Sequence, residues 1–260
     1  LTKKIKYNVF LKKCDRRGRI FSILKGIRSL LANNIFNHYN IVDKIISPSE
    51  FIKDKLQEGN VSFKKNIVIR NPIVLFDQNE DSPKENIICF FGRFSKEKNL
   101  TFLIEAFDLW KEKQGNNFKL LLIGSGDNEN EIKRVYFNCR YKNEIIFKPF
   151  LPQELLFQEI KKIKYYAMTS NWYENAPMGI LESASLNAIP IVPNIGGMKE
   201  LIEDVLQVGM TYESQNHESW CKSMDILEQN YEQYLSKLKE NKKKLINQFS
   251  EKSYLFNLNK

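Results

Sequence analysis

The sequence predicts an α/β fold built on a parallel sheet covered on both faces. Three observations carry the prediction. From residue 86 onward, short apolar runs alternate with stretches whose apolar residues recur at helical spacing. One run, "FKLLLIG" (118–124), is apolar nearly throughout and closes on a glycine, as a strand buried on both faces does. The alternation fills enough chain for one doubly wound domain, about 150 residues.

The elements follow in order. "DKIISPS" (43–49) reads as a strand ending in a turn, and "EFIKDKLQEG" (50–59) as a helix closed by Gly59. "NIVIRNP" (66–72) is a further strand, and "FDQNEDSPKEN" (76–86) is polar, turn-forming and aperiodic, hence a linker. Strands are then expected at 86–92, 118–124, 144–148, 165–170 and 189–193. Helices are expected at 99–113, 128–140, 152–162, 178–187 and 197–203. Pro152 opens the third of these helices, and Pro177 is placed for the first turn of the fourth. Beyond residue 216 the chain reads as helical. The expected organisation is therefore residues 1–75 as the tail of one domain, a linker at 76–86, a second domain at 87–230 and C-terminal helices at 231–260 packing back toward the first domain.

Composition narrows the function. The chain has 260 residues, 42% hydrophobic and 27% charged, which supports a globular core. It contains no apolar run of about 18 residues, so no membrane span is expected, and no signal-peptide pattern is visible. The chain begins with Leu1 rather than Met, which leads us to expect a piece of a longer protein. Cys14, Cys89, Cys139 and Cys221 are far apart, which reads as reduced thiols in a cytoplasmic protein with no disulfide frame or zinc site. The only histidines, His38 and His217, are too isolated to suggest a metal, and none is expected. The net charge of +9 lies wholly in residues 1–84, which hold 17 Lys and Arg against 8 Asp and Glu. A solvated basic face or an anionic membrane surface fits this excess. The basic run "KKCDRRGR" (12–19) lacks the interleaved aromatics of a single-strand binder, so nucleic acid is not an expected partner.

Two stretches bear chemistry. In "FFGRFSKEKNL" (90–100), Gly92 ends a strand, Arg93 follows directly, and Lys98 stands at the start of the next helix. Ligands of open parallel sheets bind beyond the carboxyl ends of strands, so both cations aim into one crevice. In "NWYENAPMGILES" (171–183), Glu174 and Glu182 stand eight apart across a Pro, a Gly and a short apolar run. Glu174 falls in a loop after a strand, and Glu182 a little over one turn into a helix. The free N–H groups of that first turn, at Met178, Gly179, Ile180 and Leu181, suit an anion, and Gly179 admits close backbone approach. A carboxylate at 182 suits vicinal hydroxyls, as on a ribose. Solvated carboxylates on a capped helix and a glycosidase pair stay open on this stretch alone.

The combination resembles a known family. Residues 88–202 resemble the donor-binding domain of retaining glycosyltransferases of family 4, which have the GT-B fold. The family's "GR…eKn…li.Af" looks like "GRFSKEKNLTFLIEAF", and its "iGdGp" is similar to "IGSGD". Its E-x7-E segment looks like "WYENAPMGILE", and its "PVv…GG..E" like "IPIVPNIGGMKEL". The segment "VDKIISPSEFIKDKL…IVIRNPI" is similar to the end of the family's acceptor domain. Two positions depart from the pattern. Pro149 stands where the family usually has Gly, near the turn that holds the base, and Asn187 where Gly is usual in "A.G.P".

The resemblance implies a GT-B fold with a complete Rossmann-like donor domain and the C-terminal part of an acceptor domain. It implies hexosyl transfer from a UDP- or GDP-linked sugar to a sugar or lipid-linked acceptor, with retention, in cell-surface polysaccharide or glycolipid synthesis. Arg93, Lys98 and Glu174 would be catalytic, and Gly92, Arg93, Lys98, Met178, Gly179, Ile180, Leu181 and Glu182 would bind the donor. No cofactor beyond the nucleotide sugar is implied. A chain lacking the front of the acceptor domain is expected to bind a nucleoside diphosphate yet transfer no sugar. The alternatives are a non-catalytic nucleotide-sugar-binding subunit and a nucleotide-sugar epimerase on the same fold. A dinucleotide oxidoreductase is disfavoured, because no G-x-G-x-x-G follows a strand.

Overall fold

The computed structural model describes residues 15, 17–31, 42–58, 66–73 and 83–259. The chain forms two compact units, Leu1–Arg70 and Asn71–Lys260. Cys14, His38, Gly59 and most of the expected linker lie outside the described residues.

In the first unit, helix α1 (Arg19–Leu30) is followed by β1 (Ile45–Ser47), α2 (Glu50–Glu58) and β2 (Asn66–Val68). The two strands pair in parallel, Ile45 opposite Asn66 and Ser47 opposite Val68. Helix α1 buries its small residues, Ser22 and Gly26, while Ile20 is 72% and Leu24 54% exposed.

The second unit holds one six-stranded sheet. Its strands are β3 (Glu85–Phe91), β4 (Lys119–Ile123), β5 (Ile145–Lys148), β6 (Ile163–Ala167), β7 (Ile189–Pro193) and β8 (Met210–Tyr212). They lie in the order β5-β4-β3-β6-β7-β8, and every pairing is parallel. The intervening helices are α3 (Leu100–Gln114), α4 (Glu129–Asn138), α5 (Gln153–Ile160), α6 (Met178–Ser185) and α7 (Gly196–Glu200). Helices α8 (His217–Gln229), α9 (Tyr231–Gln248) and α10 (Glu251–Leu258) complete the chain. The strand order reverses between β3 and β6, so right-handed crossovers put the helices after β3 and β4 on one face and those after β6 and β7 on the other. Accordingly α3 packs with α4 and α8, while α6 packs with α9.

The core explains why the sequence folds this way. The middle of β3 (Ile88, Cys89, Phe90) and of β4 (Leu120, Leu121, Leu122) is fully buried, as strands covered on both faces must be. Helix α3 contributes Leu100, Leu103, Ile104, Phe107 and Trp110. Trp110 meets Trp220 of α8 edge to face at 6.2 Å, and its indole N–H donates to Asp225 at 2.7 Å. Leu238, Leu245 and Phe249 bring residues 231–249 into the same core.

Several expectations need correction. Strand β6 runs two residues earlier than expected, so Met168, Thr169 and Ser170 already belong to the loop beyond it. Lys98 ends a 3-10 turn (Lys96–Lys98) rather than starting α3, which begins at Leu100 after a left-handed Asn99. Pro177 is the extended residue before α6, not part of its first turn. The helix expected at 197–203 is α7 followed by π-helical turns at Leu201–Leu206. Strand β8 was not expected at all, being three residues long. Asn187, where the family pattern has glycine, has a φ of 61°, in the left-handed region that glycine favours and asparagine tolerates.

Phe107, with no exposed surface, tests this core. Phe107→Ala should cost about 3–5 kcal/mol of unfolding free energy. The urea midpoint should fall with the slope unchanged.

Candidate functional site

Parallel strands send all their carboxyl ends to one edge, and the reversal between β3 and β6 opens a crevice there. The loops after these two strands are hydrogen-bonded together. The Thr169 hydroxyl lies 2.9 Å from the Lys98 carbonyl and 3.2 Å from that of Asn99. Ser170 Oγ lies 2.9 Å from the Glu97 carbonyl, to which the Asn171 N–H also donates at 3.0 Å. Thr169 and Ser170 are buried, so these bonds are sheltered from water.

The clamp brings Lys98 and Glu174, 76 residues apart in sequence, to an ion pair of 2.7 Å. Each side chain is 20% exposed. Ser170 Oγ approaches the same carboxylate oxygen at 2.7 Å, and its single hydrogen serves either Glu174 or the Glu97 carbonyl. The Glu174 backbone is fixed as well: its carbonyl accepts from the Gly197 N–H at 2.8 Å. A Cβ at Gly197 would run into the Asn175 carbonyl oxygen, so only glycine lets α7 approach this loop.

Arg93 stands apart from this pair. Its side chain is 70% exposed and lies 3.7 Å from Glu97. Gly92, before it, has a φ of 141°, a conformation glycine adopts at no steric cost. Met178, Gly179, Ile180 and Leu181 form the first turn of α6, and no side chain caps that turn. A Cβ at Gly179 would lie 2.7 Å from the Tyr166 hydroxyl oxygen and 3.1 Å from the Phe91 ring. The missing side chain thus seats the head of α6 directly on the ends of β3 and β6.

Glu182 and Glu174 converge electrostatically. Burial above all, with the Glu182 and Glu174 carboxylates adding to it, pushes the Tyr166 phenol far above its ordinary value. Burial also raises the Glu182 carboxyl above its ordinary value. Beside the crevice, a cavity of about 200 Å³ opens at the carboxyl ends of β4 and β5, lined by Phe94, Gly124, Ser125, Phe147, Lys148 and Pro149. Among the described residues no group of His, Cys, Asp and Glu could hold a metal ion. Cys139 and Cys221 are buried, and burial pushes each thiol up to about 11. His217 stacks on Phe102 at 4.3 Å.

Sequence reasoning missed the clamp of Thr169, Ser170 and Asn171. Its only trace is a hydroxyl pair directly after a fully apolar run. It also missed the exposed aromatic pair Trp172 and Tyr173, 68% and 57% exposed, beside Glu174.

A reversing parallel sheet with charged loops at its switch point defines a Rossmann-like ligand-binding domain. The sequence model described as Glycosyl transferases group 1 matches residues 74–245, and the chain belongs to that family. An uncharacterised glycosyltransferase of Haemophilus influenzae is 29% identical over 198 residues, 74% of this chain and 54% of the relative. One of Methanocaldococcus jannaschii is 23% identical over 191 residues, 71% and 44% of the two chains. The chain thus spans about half the length of the curated relatives it matches. A point mutant of S. aureus TarM, in complex with Fondaparinux, alpha-GlcNAc-glycerol and UDP, is similar with a TM-score of 0.75 and 18% identity. That match covers 95% of this chain and 48% of TarM. Anabaena HepE in complex with UDP and glucose has a TM-score of 0.70 at 15% identity, covering 84% and 62% of the chains. At these identities the likeness is one of fold, the GT-B fold of glycosyltransferases.

The raised Glu182 carboxyl has a measurable consequence. The folded state holds its proton more tightly than the unfolded state, whose carboxyl titrates near 4.5. Wild type should therefore lose stability relative to Glu182→Gln as pH rises through and above 4.5, as ionised Glu182 becomes the buried charge. Urea unfolding of both proteins at pH 4 and pH 7 measures the difference, which should be larger at pH 7.

Proposed function

We propose that the chain carries the donor site of a retaining glycosyltransferase of family 4, moving a hexosyl group from a nucleoside diphosphate sugar to an acceptor. The observation that supports this best is the Lys98–Glu174 pair, clamped at the switch point of the sheet. In this reading the diphosphate lies against the uncapped head of α6, with Lys98 and Arg93 supplying positive charge. The bond from the anomeric carbon to the diphosphate breaks, and the leaving group takes the electron pair. Cations and helix N–H groups oppose the growing charge, so their effect is greatest in the transition state. Glu182 accepts from the ribose hydroxyls. Glu174 faces the sugar and favours positive charge at the reacting carbon, while Lys98 and Ser170 fix its orientation. The base occupies the cavity at Gly124, Ser125 and Pro149. The acceptor is a sugar or a lipid-linked glycan of the cell surface.

Calorimetry with UDP, GDP and uridine tests the donor reading. Arg93 is exposed, so Arg93→Ala should fold normally. A charge-assisted hydrogen bond contributes about 1.5–3 kcal/mol. Affinity for UDP or GDP should therefore fall by about tenfold to a hundredfold, and that for uridine should barely change. Equal losses for nucleoside and diphosphate would reject the assignment. In a chain of the relatives' full length, Glu174→Ala should abolish transfer while sparing nucleoside diphosphate affinity, read by product formation and by calorimetry.

The first unit supports a second element of the proposal, contact with the inner face of an anionic membrane. Helix α1 exposes Ile20, Leu24 and Ile27 beside Arg19, Lys25 and Arg28. Apolar residues with flanking cations suit an interface between acyl chains and anionic headgroups. Cosedimentation with phosphatidylglycerol vesicles should fall on addition of salt, because exposed charges are screened within about 10 Å at 0.1 M. Leu24→Asp should weaken it further. Binding indifferent to anionic lipid, salt and Leu24 would remove this element.

A further inference from the structure

The loop around Glu174 presents a second chemistry. Its five residues, Asn171, Trp172, Tyr173, Glu174 and Asn175, offer two rings, two amides and one carboxylate, with no cation among them. Trp172 is 68% exposed, whereas the Glu174 side chain two residues on is 20% exposed. Among the described residues the Trp172 indole makes no hydrogen bond or ring contact. A loose loop does not explain this exposure. Before the rings, the Asn171 N–H donates to the Glu97 carbonyl at 3.0 Å; after them, the Glu174 carbonyl accepts from the Gly197 N–H at 2.8 Å. Between these anchors α7 lies close, since a Cβ on Gly196 would stand 3.3 Å from the Tyr173 Cα. The backbone is fixed on both sides of the pair, and a large apolar ring is held in water at the rim of the crevice.

Covering such a ring is favourable, and its neighbours say what covers it. A membrane surface or a nucleic acid calls for cations, which this loop lacks. A stable protein interface buries about 800 Å² per partner. Two aromatic side chains supply at most about 500 Å². A pyranose fits both halves of the surface. Its axial C–H groups pack on the negative face of an indole, and its rim hydroxyls donate to and accept from amides and a carboxylate.

We infer that Trp172 is a stacking platform for a pyranose of the acceptor, with Tyr173 beside it and Asn171 and Asn175 at the sugar's rim hydroxyls. The inference rests on the donor reading given above, which puts the donor's own sugar at Glu174 inside the crevice. Trp172 stands out in solvent while Glu174 is largely buried, so a ring on Trp172 lies outside the donor, where an acceptor arrives. The platform selects an acceptor that ends in a sugar over one that ends in a bare hydroxyl or phosphate.

The chain has three tryptophans, and Trp110 and Trp220 are buried, so their indole N–H resonances are internal controls for that of Trp172. The isotope-labelled chain is titrated by NMR, at saturating UDP, with the methyl glycosides of glucose, galactose, mannose and N-acetylglucosamine, and with glycerol as the control polyol. At least one pyranoside should shift the Trp172 resonance saturably, leave Trp110 and Trp220 unmoved, and have its own ring C–H protons shifted upfield by the indole. Glycerol should do neither. Trp172→Ala should abolish the upfield shift and weaken that pyranoside by about tenfold, read at the Asn171 and Tyr173 amides, and Trp172→Phe should weaken it less. Phe137→Ala, at an exposed ring on α4, should change nothing. Calorimetry reads UDP separately. If UDP fails to bind, the donor reading falls and takes this inference with it. If UDP binds and no pyranoside moves Trp172, the platform alone is overturned. A Trp172 shift on adding UDP-glucose but not with any free glycoside would give the ring to the donor and overturn the assignment to the acceptor.

Discussion

The bonds from Thr169, Ser170 and Asn171 to the carbonyl groups of residues 97–99 hold the candidate site together. Without them the loops after β3 and β6 would be two solvated segments on neighbouring strands. With them, Lys98 and Glu174 are held at 2.7 Å over a fixed crevice. Gly197 and Gly179 then let α7 and α6 close against the same point without steric conflict. The clamp depends in turn on strand order. Only where the sheet reverses do consecutive loops diverge to opposite faces, and the crevice they leave is where these hydroxyls face carbonyls rather than a crossover helix.

How much of this was legible in the sequence follows from what local chemistry can encode. The buried strands and amphipathic helices were readable because burial on both faces gives β3 and β4 continuous apolar runs and one-sided burial gives α3 its spacing. Strand β8 was not, because three residues are too few for a period. The limits of β6 slipped because Met168, Thr169 and Ser170 are as buried as a strand, although the hydroxyl pair bonds to a loop instead of a neighbouring strand. The partnership of Lys98 with Glu174 was beyond local reading. Each residue was identified from its own stretch, but their contact is set by a strand order that no single stretch carries. Asn187 shows the reverse case. It stands where the family pattern has glycine, and its backbone is in the left-handed region that glycine favours.

The two edges of the sheet obey one rule from opposite sides. Parallel strands concentrate loop residues at the carboxyl edge, where the family's chemistry is expected, and leave short turns at the amino edge. There the chain just before β3, strand β6 and helix α9 bring Lys84, Lys164 and Lys239 to one cavity. Helix α6 spans the two edges. Its first turn sits on Tyr166 and Phe91; at its other end the Ala184 carbonyl accepts from the Asn187 N–H, and the Leu186 carbonyl just beyond accepts from Lys84.

The charge arrangement at the crevice carries a cost that fits a ligand better than it fits stability alone. Glu182 is held in a place where burial raises its carboxyl, so its ionised form is disfavoured by the fold itself. Lys98 is held the other way, already compensated by Glu174. A fold selected only for stability would have no reason to keep the first and would gain little from the second, since partly buried ion pairs return little beyond their desolvation. In the proposed reading, hydroxyl groups of a bound ribose would satisfy Glu182. A phosphate entering beside Lys98 would share its charge with Glu174 rather than pay to bring a new cation out of water. In the proposed reading the same carboxylate, held by Ser170 on a backbone whose carbonyl accepts from the Gly197 N–H, would then face the sugar with no further ordering required.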